Sequence, residues 1–584
     1  MRAIVFRRFP RMMLLTAVTA MLAACKPAEP QANVLLITVD TLRPDALGVV
    51  DGQRETPVID ELARSGRLFS AAVSPVPLTL PSHTSILSGL LPVHHGVRDN
   101  GQTVPADIPL LQERLQHEGY RTAAFVSGFP LQAMFGLDRG FDRYDDDMHD
   151  GEQGWVERRA EDTVTATNAW LQARKADQPW FAWTHFYDPH DPYAPPREFW
   201  RPGPRGGYDG EVTYTDYWIG KLLEVARQAS DGRPLLIVLT ADHGEALGEH
   251  EELTHGFFVY DSTMRVPLIF SWPGRIVPAQ GSEPVQLIDV APTILQLLDL
   301  PPPENADGRG IGEGLAGGKL DLHPAMMETW LPWTYFGWAP LTGWLDRQWK
   351  FIDAPEAELY DVLADAHETR NLARQQAAVA DRLGVTLDTL TTAKQRVAAT
   401  SQDDEAMQRL RSLGYVGVGA PVEAPPAGLA DPKQRIGMRN TLQQGESLLR
   451  AGRFAQAQEV FAGVIAEDPD NRFANLRSGI ALLRLGRIDE ASRVLRHAVV
   501  VEPHRAEARF AFGDALMREA RFAEAAEQWA VLAELQPRRR EAWFNLATAL
   551  EKSGQAERAR GAMAEYERLS VGHKQDDAAA EAQP

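Results

Sequence analysis

Cysteine is almost absent from this 584-residue chain; the single one is Cys25, so no intramolecular disulfide can form and the fold must stand on packing alone. Beyond the first 24 residues no apolar stretch is long enough to cross a bilayer. Positive charge is also scarce. Sixty Lys and Arg oppose 80 Asp and Glu, a net charge of −20, and an acidic surface of that kind repels phosphate backbones, which argues against nucleic acid as the main partner. It leaves room for a local site that takes an anionic ester substrate. Hydrophobic content of 44% and charged content of 24% are those of globular protein, and the length implies more than one domain.

The position of Cys25 is informative. Basic residues at Arg2, Arg7, Arg8 and Arg11 precede an apolar run from Met12 to Ala24, a pattern of export signals rather than of spanning helices. The run closes on Leu22-Ala23-Ala24-Cys25, which resembles the bacterial lipobox, where the cysteine is lipidated. That resemblance implies a lipoprotein signal peptide over 1–24 and a tether over 25–32. It also implies a lipid anchor to a membrane and a periplasmic location.

From Asn33 onward, short apolar runs alternate with helical stretches. The runs are Val34–Val39, Thr122–Val126, Trp180–Phe186, Leu235–Thr240 and Val266–Phe270; Pro109–His117 and Asp216–Ala229 read as helices. Such alternation predicts an α/β domain over about 33–400, with a mostly parallel sheet sandwiched by helices. Asp40, Asp188, His190, Asp242 and His243 all fall just after apolar runs. In an open α/β sheet the crevice beyond the strands' carboxyl ends is where ligands bind, so residues distant in sequence would meet there.

Residues 401–437, with Pro421, Pro425 and Pro426, read as a linker. Beyond it the chain repeats. Pro469, Pro503 and Pro537 stand 34 residues apart. The columns Ala457/Ala491/Ala525/Ala559, Gly452/Gly486/Ala520/Gly554 and Leu448/Leu482/Leu516/Leu550 keep the same period. Small residues let two helices approach closely, and each proline ends a unit. This resembles four tetratricopeptide repeats over 438–573, an all-α solenoid that binds a protein or peptide partner. Residues 574–584 read as a disordered tail.

Three places carry chemistry. A carboxylate at Asp40, ending an apolar strand, is costly to bury unless a cation or donor meets it; the alternative is a turn cap. Asp242-His243 offers a carboxylate and an imidazole at another strand end, and with Asp40 makes a metal-site hypothesis. Thr79 stands where a helix begins, with Pro81 in the first turn and Gly89 at the end. A hydroxyl there is either an N-cap or a nucleophile facing an anionic ester at the positive end of the helix.

Together with Asn33–Arg43, Thr79–Gly89, Asp188–Tyr193, Ala241–Glu245, Arg265–Ile269, Asp289–Thr293, Glu358–Asp361 and Glu368–Leu372, these places resemble the sulfatase family of the alkaline phosphatase superfamily. The resemblance implies an alkaline-phosphatase-like sheet and a metal-dependent ester hydrolase. It implies Asp40, Asp242 and His243, with Thr79, as metal ligands. Thr79 takes the nucleophile position, and His190 and His255 are implied as catalytic: His190 contacts the ester or leaving group, and His255 falls where many sulfatases carry a substrate-binding lysine and two-zinc phosphodiesterase relatives a metal-binding histidine. His83, Asn100 and Asp188 are implied as substrate contacts. Zinc, manganese or calcium would serve, as one ion or two.

The chain departs from the family at the nucleophile. Sulfatases carry Cys or Ser in a Cys-x-Pro-x-Arg pattern, oxidised to formylglycine. Here Thr79 replaces the cysteine and His83 the arginine, and Thr41 stands where a second Asp is usual. Threonine nucleophiles occur in the superfamily among phosphodiesterases and phosphoryl-group transferases. The readings carried forward are therefore a sulfate or phosphate ester hydrolase, a threonine-nucleophile phosphodiesterase or transferase, and a catalytically lapsed scaffold.

Overall fold

A computed structural model of the chain describes residues 31–150, 156–175, 178–391, 396 and 425–580. Cys25, the export signal and most of the 25–32 tether lie outside the described residues, as do 401–424 of the expected linker.

Fourteen strands are described: β1 Asn33–Val39, β2 Arg67–Val73, β3 Arg121–Phe125, β4 Arg143–Asp145, β5 His149–Asp150, β6 Val156–Glu157, β7 Trp180–Phe186, β8 Leu235–Thr240, β9 Arg265–Ser271, β10 Ala279–Gly281, β11 Ala325–Thr329, β12 Leu341–Asp346, β13 Trp349–Asp353 and β14 Glu358–Asp361. Eight form one sheet in the order β10-β2-β9-β8-β1-β7-β3-β4. Only β9 runs against the others. The α/β expectation therefore holds. β1 and β7 are buried along their whole length, as strands covered on both faces should be.

Register aligns the ends of the central strands. β1 pairs in parallel with both neighbours, placing Thr38 opposite Thr240 on β8 and opposite His185 on β7. Asp40 and Asp242 each stand two residues beyond that paired level.

Two features escaped the apolar-run reading. β11–β14 form a separate antiparallel sheet, covered by the helix Ala377–Thr391. β12 alternates buried and partly buried residues, and β11, β13 and β14 are short and carry charged residues, so they present no continuous apolar run. The helix read as starting at Asp216 begins at Gly206. Gly206, Gly207 and Gly210 look like loop residues, yet a side chain at any of them would strike backbone oxygens of Arg201, Tyr193 and Phe199. Glycine is used there for close approach, not for flexibility.

The repeats are four helix pairs: Ile436–Arg450 with Phe454–Glu467, Arg472–Arg484 with Ile488–Val501, Ala506–Arg518 with Phe522–Leu535, and Arg540–Lys552 with Ala556–Ala580. The last helix continues through Ala580, into residues read as a disordered tail; Lys574, Gln575 and Ala578–Ala580 are good helix formers. The glycine column is corrected. Gly452, Gly486 and Gly554 have φ of 71°, 73° and 79° with open space around them, so they make the turns. Close helix approach falls on another column of the same period. A Cβ on Gly445 would come within 2.6 Å of Phe461, and one on Gly513 within 2.7 Å of Trp529; Gly479 is equally tight against Leu495.

Ala520 occupies the turn column with φ 58°, a conformation costly for any L-side chain. Ala520→Gly is expected to stabilise the repeats by about 1 kcal/mol. A thermal midpoint that rises checks this; an unchanged or lowered one would contradict it.

Candidate active site

Asp40, Asp242 and His243 converge. One ligand atom from each lies within 4.8 Å of the others, and all three residues are fully buried. Asp40 Oδ1 is 3.8 Å and Asp242 Oδ2 3.5 Å from His243 Nε2. Both Asp40 oxygens, Asp242 Oδ2 and His243 Nε2 lack a hydrogen-bond partner. The other Asp242 oxygen accepts from the His243 and Thr41 amides at 2.9 and 3.3 Å. His243 Nδ1 lies 3.0 Å from the Gly244 carbonyl. A carbonyl only accepts, so Nδ1 carries the proton and Nε2 turns a lone pair toward the carboxylates. Three groups of acceptor-only atoms facing one another in a dry interior are unfavourable without a cation among them. Burial first, then the charges of Asp242 and Glu245, push the Asp40 carboxyl well above its usual range. The donor set therefore fits a divalent metal ion.

Thr79 opens the helix Thr79–Ser88, which ends at Gly89 with φ 73°. Its hydroxyl lies against Asp40 and favours the ionised form of that carboxyl, but it makes no hydrogen bond of ordinary geometry. Asn100 caps the same helix: its Oδ1 accepts from the Leu80 amide at 2.8 Å, and its buried Nδ2 has no acceptor. A free hydroxyl and a free amide donor thus flank the cluster at the positive end of a helix.

His190 and His255 complete this side. The His255 ring is 4.4 Å from that of His243 and 5.0 Å from that of His190. His190 Nδ1 donates to the Asp191 carbonyl at 2.8 Å and its ring stacks on Tyr187. Glu245 Oε1 holds His255 Nδ1 at 3.2 Å. Burial holds both imidazoles below their usual pKa, His190 well below and His255 down to about 4.

His83 lies behind the cluster. Its Nδ1 donates to the Thr79 carbonyl at 2.8 Å and its Nε2 meets Thr38 Oγ1 at 3.1 Å. Sequence reasoning missed His185, whose Nδ1 is 3.0 Å from the same hydroxyl and whose Nε2 is 3.6 Å from Asp40 Oδ2. Trp183 Nε1 also donates to Thr38, at 2.9 Å. The protons can be assigned. His83 donates through Nδ1, so its Nε2 accepts the one Thr38 proton; His185 Nδ1 must then donate to Thr38, and His185 Nε2 turns a lone pair toward Asp40. Only strand pairing, which sets His185 level with Thr38 on the adjacent strand, marks it out.

Asp188 is not brought to the cluster. Its carboxyl faces the Ala160 amide, at the start of the helix Ala160–Ala173, and feels Glu157 and Arg159. Thr41 also turns away. It is a β-branched residue at φ 55°, held by its hydroxyl on the Pro189 carbonyl at 2.9 Å and by Tyr208 on its own carbonyl at 2.9 Å. Strain of this kind costs about 1–3 kcal/mol and persists only where neighbours impose it.

Family models decide the relationship. Residues 32–300 match the sulfatase model, and residues 248–393 match the C-terminal model of N-sulphoglucosamine sulphohydrolase. The catalytic domain belongs to the sulfatase family. Tetratricopeptide models match residues 448–501, 476–534 and 510–572. Among similar curated proteins, N-acetylgalactosamine-6-sulfatase of Canis lupus familiaris is 26% identical over 374 residues, 54% of this chain and 71% of that protein. Choline-sulfatase of Rhizobium meliloti is 25% identical over 446 residues, 61% of this chain and 85% of that one. Among solved structures, the phosphonate monoester hydrolase of Agrobacterium radiobacter superposes with a TM-score of 0.52 at 20% identity, covering 62% of this chain and 95% of its own; this likeness concerns the fold. The sulfatase domain makes the chain an ester hydrolase, and its family uses a metal ion.

Two measurements test the site's construction. Thr38→Val keeps the shape and removes the hydroxyl that orients both rear imidazoles. Zinc affinity, read by chelator competition, should fall about 10–100-fold; an unchanged affinity would show that Thr38 only fills space. Burial raises Asp188 to about 7, against about 3.9 for an exposed Asp. A raised folded-state pKa contributes stability at low pH that is lost as pH climbs from about 4 through 7. The thermal midpoint of the native chain should therefore drop relative to Asp188→Asn over that interval, and parallel curves would contradict the assignment.

Proposed function

We propose that the chain hydrolyses a singly charged ester by direct attack of Thr79, with a phosphodiester-type centre favoured over sulfate. The observation that carries this is the Thr79 hydroxyl, unbonded and buried against Asp40 at a helix start. Oxidation of threonine gives a ketone, which hydrates poorly, so the aldehyde-hydrate route is closed to it. A divalent ion held by Asp40, Asp242 and His243 would lower the hydroxyl pKa and offset the charge of the ester. Two carboxylates, one imidazole and one hydroxyl are a four-donor set of the kind zinc takes.

The chain's own residues have clear tasks. Thr79 Oγ attacks, and the ester's group passes to it before water releases it. Asn100 Nδ2 donates to a non-bridging oxygen. His190 and His255, neutral at pH 7, serve first as bases: one takes the Thr79 proton as Oγ attacks and passes it to the leaving oxygen, and one takes a proton from water as water releases the bound group. The guanidinium groups beside Glu245 are already engaged: Arg43 with Asp45, Glu249 and the Glu245 carbonyl, Arg439 with Thr254. Among the described residues little uncommitted positive charge stands beside Glu245, which suits a singly charged ester.

We propose further that Cys25 is lipidated and holds the enzyme at the periplasmic face of a bacterial membrane, and that the repeats bind a protein or peptide. The apolar run that ends at the only cysteine supports the first, and the 34-residue period supports the second.

The test is a side-by-side rate on aryl sulfate, aryl phosphate monoester and aryl phosphodiester, with zinc, manganese or calcium supplied. The phosphodiester should turn over fastest. Thr79→Ala should lose at least about 10³-fold and Thr79→Ser should keep partial activity. A sulfate preference would transfer the assignment to sulfuryl esters, and no turnover with any ion would favour the scaffold reading.

A further inference from the structure

The loop that presents His255 is held from outside the catalytic domain. Between Ala246 and Gly256 the backbone takes positive φ at Leu247 (51°), Gly248 (94°), His250 (52°), Glu251 (63°) and Gly256 (93°). Three of these residues carry side chains, and such conformations persist only when their surroundings impose them. Inside the loop backbone hydrogen bonds do so, among them Ala246 N–H to the Thr254 carbonyl and Gly248 N–H to the Glu252 carbonyl, both 2.8 Å. On the catalytic side, His250 stacks on Tyr260 at 3.7 Å and Glu249 pairs with Arg43.

Further ties come from the first repeat helix, Ile436–Arg450. Asn440 Nδ2 donates to the Glu251 carbonyl at 3.1 Å. Arg439 Nη2 donates to Thr254 Oγ1 at 3.3 Å, one residue before His255. Its guanidinium lies 5.4 Å from the Phe257 ring centre and is the cation that offsets buried Glu252. The Glu252 carboxylate in turn receives the Phe257 and Phe258 amides at 2.8 and 3.3 Å. Arg439 is only 4% exposed.

A second observation points the same way. Phe257, Phe258, Phe336 and Trp338 share one hydrophobic cluster with Ile436, Leu442, Phe461 and Phe473 of the first two repeats. Trp338 Nε1 donates to Asp468 at 2.9 Å, and Arg472 lies 3.9 Å over Trp333 while donating to its carbonyl. This is an interior, not a tethered contact.

We propose that the first repeat helix is a built-in clamp of the active site, with Arg439 and Asn440 as positioning residues that hold the Thr254–His255 segment against the metal cluster. The inference rests on His255 belonging to the site. It gives the repeat domain a direct part in turnover, alongside any partner it binds.

The experiment uses the full chain with Arg439→Ala, Asn440→Ala and Arg439→Lys. Amide exchange is read by mass spectrometry over 246–257 and over β1 and β8, and kcat and KM are measured on whichever aryl ester the native enzyme turns over. Arg439→Ala should speed exchange of 246–257 at least tenfold without changing β1 and β8. It should lower kcat about tenfold or more while KM moves less than threefold. Arg439→Lys, which keeps a cation and a donor, should recover most of both, and Asn440→Ala should give a smaller effect of the same sign. Loop exchange equal to the native chain would overturn the clamp, as would faster exchange everywhere. Faster loop exchange with unchanged kcat would overturn its catalytic part. Exchange needs no substrate, so the clamp is judged separately from the choice of ester.

Discussion

Buried negative charge at the ends of two adjacent strands is the constraint around which the catalytic domain is organised. Asp40 and Asp242 sit beyond level positions of β1 and β8, with the His243 lone pair between them. Uncompensated, such a cluster costs several kcal/mol, more than one domain can easily spare. A divalent cation removes that cost. The surroundings then read as support: Thr38 fixes two imidazoles from behind, the Thr41 amide and the His243 amide hold one Asp242 oxygen, and Ser74 and Ser82 donate to the Asp242 carbonyl at 2.6 and 2.7 Å.

The departures from the sulfatase pattern fall in one place and have one physical sense. Where that pattern has an arginine four residues after the nucleophile position, His83 is turned back onto the Thr79 carbonyl and the Thr38 hydroxyl, so it braces the helix that Thr79 opens. Where a second carboxylate is usual, Thr41 is strained and turned to Pro189, which tethers the His190 loop. The site loses one anionic ligand and one cation together. Its overall charge is therefore little changed, while a threonine hydroxyl stands where the family pattern has its nucleophile.

The repeats would ordinarily be treated as a separate binding module. Here the first two share an interior with the loop after His255, and burying one continuous apolar cluster ties the two parts more firmly than polar contacts alone would. Most of the second repeat shares a separate core with the third and fourth, built on the Gly479–Leu495 and Gly513–Trp529 type of contact.

Much of this was legible in the residues. Apolar runs marked β1, β7 and β8 because strands buried on both faces need no alternation, and a strict 34-residue period marked the repeats because each unit must present the same face to the next. Asp40, Asp242, His243 and Thr79 could be picked out because charged or reactive groups at apolar strand ends and helix starts are expensive to keep. His185 could not, since inside an apolar strand an imidazole looks like any buried residue until register sets it beside Thr38. Asp188 misled for the converse reason: its place after β7 is right, but the chain turns its carboxyl to the Ala160 amide. The Arg439 clamp and the role of each repeat glycine lay wholly beyond the linear order. Those depend on which surfaces meet when separate elements pack, and local sequence carries no information about a partner nearly two hundred residues away.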